Sequence, residues 1–464
     1  MEPHRPIGAV SQRRVLGEPL LGSNDLAAPG SLLSSDGAPT FVDVFAGCGG
    51  LTLGLMRAGW RGMFAVEKDA FAFATLEANF LQRNSLYQFD WPKWLPKEAC
   101  DVRTLLETHA AKFKGMRGSV DLLAGGPPCQ GFSSAGRRKP HDPRNQLFRD
   151  YVSLVEMLQP RLILLENVEG ITRPFGDGEV AGKKANRSRL GERESYAEAI
   201  ERALAKSYHV FTSVIRCSEY GIPQSRPRFI LIGYLKTAFQ EADVDHPFEQ
   251  LDQCKQAFLA ERGLKPRTTA RQAISDLEIR RNGLIDGEGA PRFKSIGYKG
   301  PLSDYQKAMR DGHAGMPSDT RLARHRPDIA RRFARIIAAM TKRDRLGIQL
   351  NAEQRKEFGV GKSTLRVLNP DTPAPTITSL PDDLLHYAEP RTLTVRENAR
   401  LQTFPDWFVF KGKYTTGGDR RAREVPRFTQ VANAVPPLLA ELFGTVLSSA
   451  LCQKSAVTRR SEAA

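Results

Sequence analysis

Cys129 stands between Gly125-Gly126-Pro127-Pro128 and Gln130-Gly131-Phe132-Ser133. The apolar run Val120 to Ala124 predicts a short buried strand, and the glycines and prolines after it end the strand in a rigid turn. A thiol just past a strand's carboxyl end sits where open α/β sheets place their ligands. An inert buried thiol is the ordinary alternative. Two glycines that admit close approach, together with polar neighbours, favour a thiolate offered to a substrate. Arg161 to Leu165 predicts a second strand, which delivers Glu166-Asn167-Val168. A carboxyl beside the first strand end is a general acid/base candidate, against the alternative of a helix cap. Arg226 and Arg228 lie between strands predicted near Val210 to Ile215 and Arg228 to Tyr234. One residue apart on extended chain, they share a face, which suits paired contacts to a carbonyl and a phosphate over scattered surface charge.

The elements that must position these groups begin at Thr40. Phe41 to Phe45 predicts a strand, Ala46-Gly47-Cys48-Gly49-Gly50 a glycine turn, and Leu51 to Ala58 a helix. Strand, glycine turn and helix N-terminus together make a nucleotide or cofactor cradle. The glycines do not follow the dinucleotide spacing. A second strand, Phe64 to Val66, ends in Glu67, placed to accept two ribose hydroxyls. A helix over Ala70 to Leu81 follows. Asp101-Val102 is expected at a third strand end, with Asp90 as rival. Leu147, Tyr151, Leu154, Val155 and Leu158 mark an amphipathic helix. Residues 174–194 are polar and glycine-rich and read as a flexible insertion. From about 238 to 380 the strand–helix alternation stops. Between Arg321 and Arg345 nine basic residues face two acidic ones, either a solvated face or a phosphate-contacting one. Thr394 and Glu397 form a capping box. After Asn433-Ala434-Val435-Pro436-Pro437 an apolar helix runs to about Leu451 and is expected to return to the first strand.

A net charge of +16 favours a polyanionic partner. No apolar run reaches membrane-spanning length. Six cysteines without a Cys-x-x-Cys pair argue against a zinc site or a secreted disulfide framework. A cytoplasmic protein without a structural metal is expected.

In this order the segments resemble the motif series of DNA (cytosine-5)-methyltransferases, over about Phe41 to Leu451. Gly-Pro-Pro-Cys-Gln-Gly-Phe-Ser resembles their nucleophile motif, and Phe45 to Gly50 their S-adenosylmethionine loop. Ala432 departs from the glycine usual before the closing asparagine. The resemblance implies a Rossmann-like α/β fold, a mixed and mostly parallel sheet with helices on both faces, plus a smaller irregular target-recognition domain. It divides the chain into a flexible arm (1–39), a catalytic domain (40–238), a recognition domain (239–390), a returning segment (391–452) and a flexible tail (453–464). It implies catalysis by Cys129, Glu166, Arg226 and Arg228. It implies S-adenosylmethionine held by Phe45, Ala46, Gly47, Gly49, Gly50, Leu51, Glu67, Asp101, Val102, Pro127, Asn433 and Val435. Gln130, Ser133, Arg144 and Asn167 would contact the DNA, with Gln130 to Arg144 as a lid over an extruded cytosine. The expected setting is a monomer acting on double-stranded DNA in a bacterial restriction-modification system, with an endonuclease of the same target site as functional partner. Methylation of RNA cytosine by the same fold, or a non-catalytic DNA-binding regulator, are the competing readings.

Overall fold

Runs such as Leu162-Ile163-Leu164-Leu165 have no polar side to turn to water, so a strand made of them must be covered on both faces. The computed structural model describes residues 37–128, 146–173, 195–287, 292–417, 420 and 424–462. The chain runs β1 (Thr40–Val44), α1 (Gly50–Arg57), β2 (Arg61–Val66), α2 (Ala70–Phe80), α3 (Val102–Gly115), β3 (Leu122–Gly125), α4 (Gln146–Leu158), β4 (Leu162–Val168), α5 (Tyr196–Leu204), β5 (Tyr208–Arg216), β6 (Gln224–Ser225), β7 (Pro227–Leu235) and α6 (Pro247–Glu261). Successive strand residues serve opposite cores. Phe41, Ala65, Leu122, Leu164 and Ile230 pack with α1 and α2. Val42, Phe64, Leu123, Leu165 and Phe229 pack with α3, α4 and α5.

The six-stranded sheet has the order β2-β1-β3-β4-β7-β5. The first four strands are parallel neighbours, and β7 is antiparallel to both β4 and β5. This is the expected mixed, mostly parallel sheet with helices on both faces. Val44, Gly125 and Leu165 lie side by side, so the residues after them emerge at one edge. β2 and β3 flank β1 on opposite sides there, so the connections after β1 and after β3 diverge and open the crevice that such sheets use for ligands.

Two local expectations are corrected. No third strand precedes Asp101; instead Asp101 caps α3 by accepting from Arg103 N. Pro92 and Pro96 cannot donate to a ladder, and Trp91 and Trp94 pack edge-on against Phe64 instead. Glu166 and Asn167 lie within β4 and not beyond its end, because β7 supplies partners as far as Val168. The proposed arm through residue 36, the insertion at 174–194, and Cys129, Gln130, Ser133 and Arg144 with the lid around them lie outside the described residues.

Beyond β7 the chain contributes to two different cores. Phe248, Leu251, Ala273, Tyr305 and Met309 join the main core on the α1 face. Ile336, Met340, Leu350, Phe358, Leu365, Val367 and Leu385 form a small separate core beneath the basic helix Pro327–Lys342. The final helix spans Pro437–Glu462, past Leu451 and through most of the expected tail, since no proline after Pro437 stops it. Arg427–Gln453 is apolar and long enough to cross a membrane by composition, contrary to expectation, but 72% of that stretch is buried inside the protein. The helix packs on α1 and not on β1. Trp60 Nε1 donates to Gly444 O at 2.8 Å, and a Cβ on Gly54 would lie 2.3 Å from Ala440 Cβ and 2.4 Å from Pro437 O. Gly54→Ala is therefore expected to destabilise by about 1–3 kcal/mol through overpacking. Gly115→Ala, where a Cβ meets open space, should be neutral in the same denaturant titration.

Candidate active site

The aligned strand ends open into one cavity of about 1510 Å³. That exceeds the roughly 300–1,000 Å³ of a single small-molecule site, so it has room for a cofactor and a second ligand. On one side the turn after β1 forms the floor. Phe45 takes φ 59, a left-handed conformation uncommon for a bulky side chain and typical of constrained functional loops. Gly47 N donates to Glu67 Oε2 at 2.9 Å, and Asp69 N to Glu67 Oε1 at 2.7 Å. These bonds lock the carboxylate across the turn. Burial nevertheless raises the Glu67 pKa above its usual range. Phe45, Ala46, Gly47, Leu51, Glu67, Asp101, Val102, Pro127, Asn433 and Val435 all line the cavity. Asp90 does not; it pairs with Arg61 at 3.2 Å on the surface.

Gly49 and Gly50 do not line the cavity, contrary to expectation. They permit packing behind it: a Cβ on Gly49 would lie 2.6 Å from the Phe80 ring, and one on Gly50 2.3 Å from Val435 O. Asp43 was not anticipated. It lines the cavity with Oδ2 bonded by Thr52 Oγ1 at 2.6 Å, while Oδ1 has no partner. Its burial raises the pKa to about 7.

On the other side stand the acid/base candidates. Arg228 is opposite Val168 across the β4–β7 pair, so Glu166, two residues away, shares its face. Arg228 Nε lies 2.5 Å from Glu166 Oε1, with both side chains nearly buried. Burial raises the Glu166 pKa, and the Arg228 charge only partly opposes it. Arg226 is 2% exposed, lines the same cavity, and its Nε has no hydrogen-bond partner among the described residues. Asn167 was expected at DNA. It lines the cavity, but its Nδ2 donates to Pro127 O at 3.0 Å, tying β4 to the turn that leads to Cys129.

Two buried glutamines hold the walls together. Gln224 Nε2 donates to Leu401 O and to Gln402 Oε1, and its Oε1 accepts from Ile377 N. Gln402 Nε2 donates to Val431 O and Ala434 O. The segment around Arg396 and Glu397 is structural: Arg396 donates to Pro405 O and Phe408 O, and Glu397 receives Arg391 and the Thr394 cap. Its neighbour Asn398 reaches the cavity. A further part of the lining comes from Gln349, Thr364, Arg366 and the stretch from Pro375 to Pro381, which adjoins the arginine strand through the pairing of Ala374–Pro375 with Gln224–Ser225. Sequence inspection assigned no role to these residues.

A family model described as C-5 cytosine-specific DNA methylase matches residues 39–449. The chain belongs to the C-5 cytosine-specific DNA methylases. This methylase is 31% identical over 419 residues to the Type II methyltransferase M.DdeI of Desulfomicrobium norvegicum, covering 88% of each chain. It is 29% identical over 405 residues to M1.HphI of Haemophilus parahaemolyticus, covering 87% of this chain and 84% of that one. In fold it is similar to a solved Escherichia coli structure described as a prophage-encoded DNA modification methyltransferase, with TM-score 0.59 and 24% identity over 89% of this chain and 100% of that one. The protein is a DNA (cytosine-5)-methyltransferase.

The buried Asp43 carboxyl gives this methylase a pH signature. Its folded pKa is about 7 against about 3.9 unfolded, so the folded state holds the proton more tightly. The resulting stability is complete below about pH 4 and is lost as pH rises through 7. Asp43→Asn lacks this dependence. Its stability relative to the wild type should rise between pH 4.5 and 8, as read by denaturant titration at the two values.

Proposed function

We propose that this methylase transfers a methyl group from S-adenosylmethionine to C5 of a cytosine extruded from double-stranded DNA, through a covalent bond between Cys129 and C6. The observation that carries the proposal is the buried Glu166–Arg228 pair facing the same cavity as the Glu67-clamped turn. The cofactor residues fit the group. Glu67, held across the turn by Gly47 N and Asp69 N, lines the cavity with Asp101, Val102, Asn433 and Val435. When bound, S-adenosylmethionine supplies an electrophilic methyl.

Cytosine C5 is a weak nucleophile. The Cys129 thiolate adds to C6 and converts C5 to an enamine carbon. Glu166, whose affinity for a proton burial raises, donates to ring N3 and offsets charge growing on the ring. Arg228 holds the Glu166 carboxyl and contacts the base O2, while Arg226 meets the DNA backbone. Loss of the C5 proton and departure of Cys129 restore the ring. None of this fits inside stacked duplex, so the base is flipped at a cost of a few kcal/mol, and Gln130, Ser133 and Arg144 close over it. The catalytic part comprises 40–238 with the returning 391–452. Within 239–390 we assign target recognition to the part built on the separate small core, since 247–309 shares the main one. The names of the relatives support a Type II restriction-modification setting with a paired endonuclease, and a cytoplasmic monomer fits that setting.

Bisulfite sequencing of plasmid DNA incubated with protein and S-adenosylmethionine should show protected cytosines in one short context. Activity on tRNA alone would overturn the DNA reading, and no activity by folded protein would favour a regulator. Cys129→Ala should abolish turnover. Glu166→Gln should lower kcat by about 10²–10⁴-fold. Because the raised pKa keeps Glu166 protonated at low pH, wild-type kcat should decline as pH rises through that pKa, and the variant should lose this limb.

A further inference from the structure

The cavity lining presents an arginine, Arg366, that forms no ion pair among the described residues. Arg366–Val367 is a short strand paired to Leu384–Leu385. Leu365 and Val367 pack in the small separate core, while Thr364 and Arg366 line the cavity and Lys362 lies just before them. Two of these three are used internally. Lys362 Nζ lies 2.9 Å from Asp382 Oδ1 and 2.7 Å from Asp383 Oδ1. Thr364 Oγ1 donates to Asp383 Oδ1, and Thr378 Oγ1 to Asp383 Oδ2. Asp383 is thus occupied by three other donors. Arg366 has no ion pair and no side-chain hydrogen bond among the described residues, yet it is half-buried and lines the cavity. Burial lowers its pKa, and Asp383 only partly opposes this. A guanidinium left without a partner in a partly desolvated position is costly, and it is matched to an anion with oxygens in a plane.

We propose that Arg366 is a DNA-backbone contact, binding a phosphate beside the extruded cytosine in the cavity that Arg226 and Arg228 also line. This deepens the proposed function and depends on the cavity being the cytosine site. The geometry favours backbone over base contact. Arg366 lies on the same cavity as Glu166 and Arg228, where the strand must enter between the walls, whereas a base-reading side chain must reach a groove edge of the remaining duplex.

The test uses the full-length protein, with Arg366→Gln and Arg366→Lys compared with wild type. Binding to a duplex carrying the mapped methylation site and to an unrelated duplex is measured between 50 and 200 mM salt. The slope of log K against log salt should become shallower by about 0.9, one phosphate's worth, in Arg366→Gln. Both duplexes should be weakened equally, DNA KM should rise about tenfold with kcat changed less than about threefold, and Arg366→Lys should recover most of the loss. An unchanged slope and KM would overturn the proposal. An unchanged slope with methylation spreading to altered sequence contexts would overturn it in favour of base reading. If the wild type itself methylates no DNA, the underlying reading of the cavity fails instead, and that outcome is separate because it appears before any variant is compared.

Discussion

The antiparallel insertion of β7 between β4 and β5 is the constraint on which the site depends. It sets Arg228 against Val168 and therefore beside Glu166. Both groups are taken out of water, at a cost that their mutual attraction and the bond from Arg228 Nη1 to Pro227 O offset. Remove the register and each loses its buried partner. The pairing also carries β4 beyond the ends of its parallel neighbours, which places Glu166 and Asn167 on ladder backbone and not on a loop. A carboxyl whose protonation must be controlled gains from that rigidity, because its environment does not fluctuate with solvent.

A second constraint ties distant sequence to the cradle. The turn after β1 can hold its shape only if the C-terminal segment approaches it at backbone distance, and Gly50 and Gly54 admit that approach. Gln224 and Gln402 then join four separate segments through hydrogen bonds made entirely away from water. In that setting each bond left unmade would cost the full desolvation of its group. The cofactor wall, the arginine strand and the start of the recognition wall thus share one polar junction. The small separate core under Pro327–Lys342 lies outside it.

The sequence by itself determined the two-sided sheet, because apolar runs of that length have only one way to be buried. It also determined the glycine turn, the capping box at Thr394, and the candidate groups Glu166, Arg226 and Arg228, since residue type and period-two spacing are local properties. Tertiary structure decided what depends on partners far along the chain. Asp101 looked like a strand end and is a helix cap, because the prolines before it cannot join a ladder. Gly49 and Gly50 looked like ligand contacts and are packing contacts, because what they approach lies near residues 80 and 435. Asp43 and Arg366 carry no local mark at all. Their significance lies in what is absent around them, an unpaired oxygen and an unpaired guanidinium, and the absence of a partner is a property of three-dimensional packing that no stretch of sequence contains.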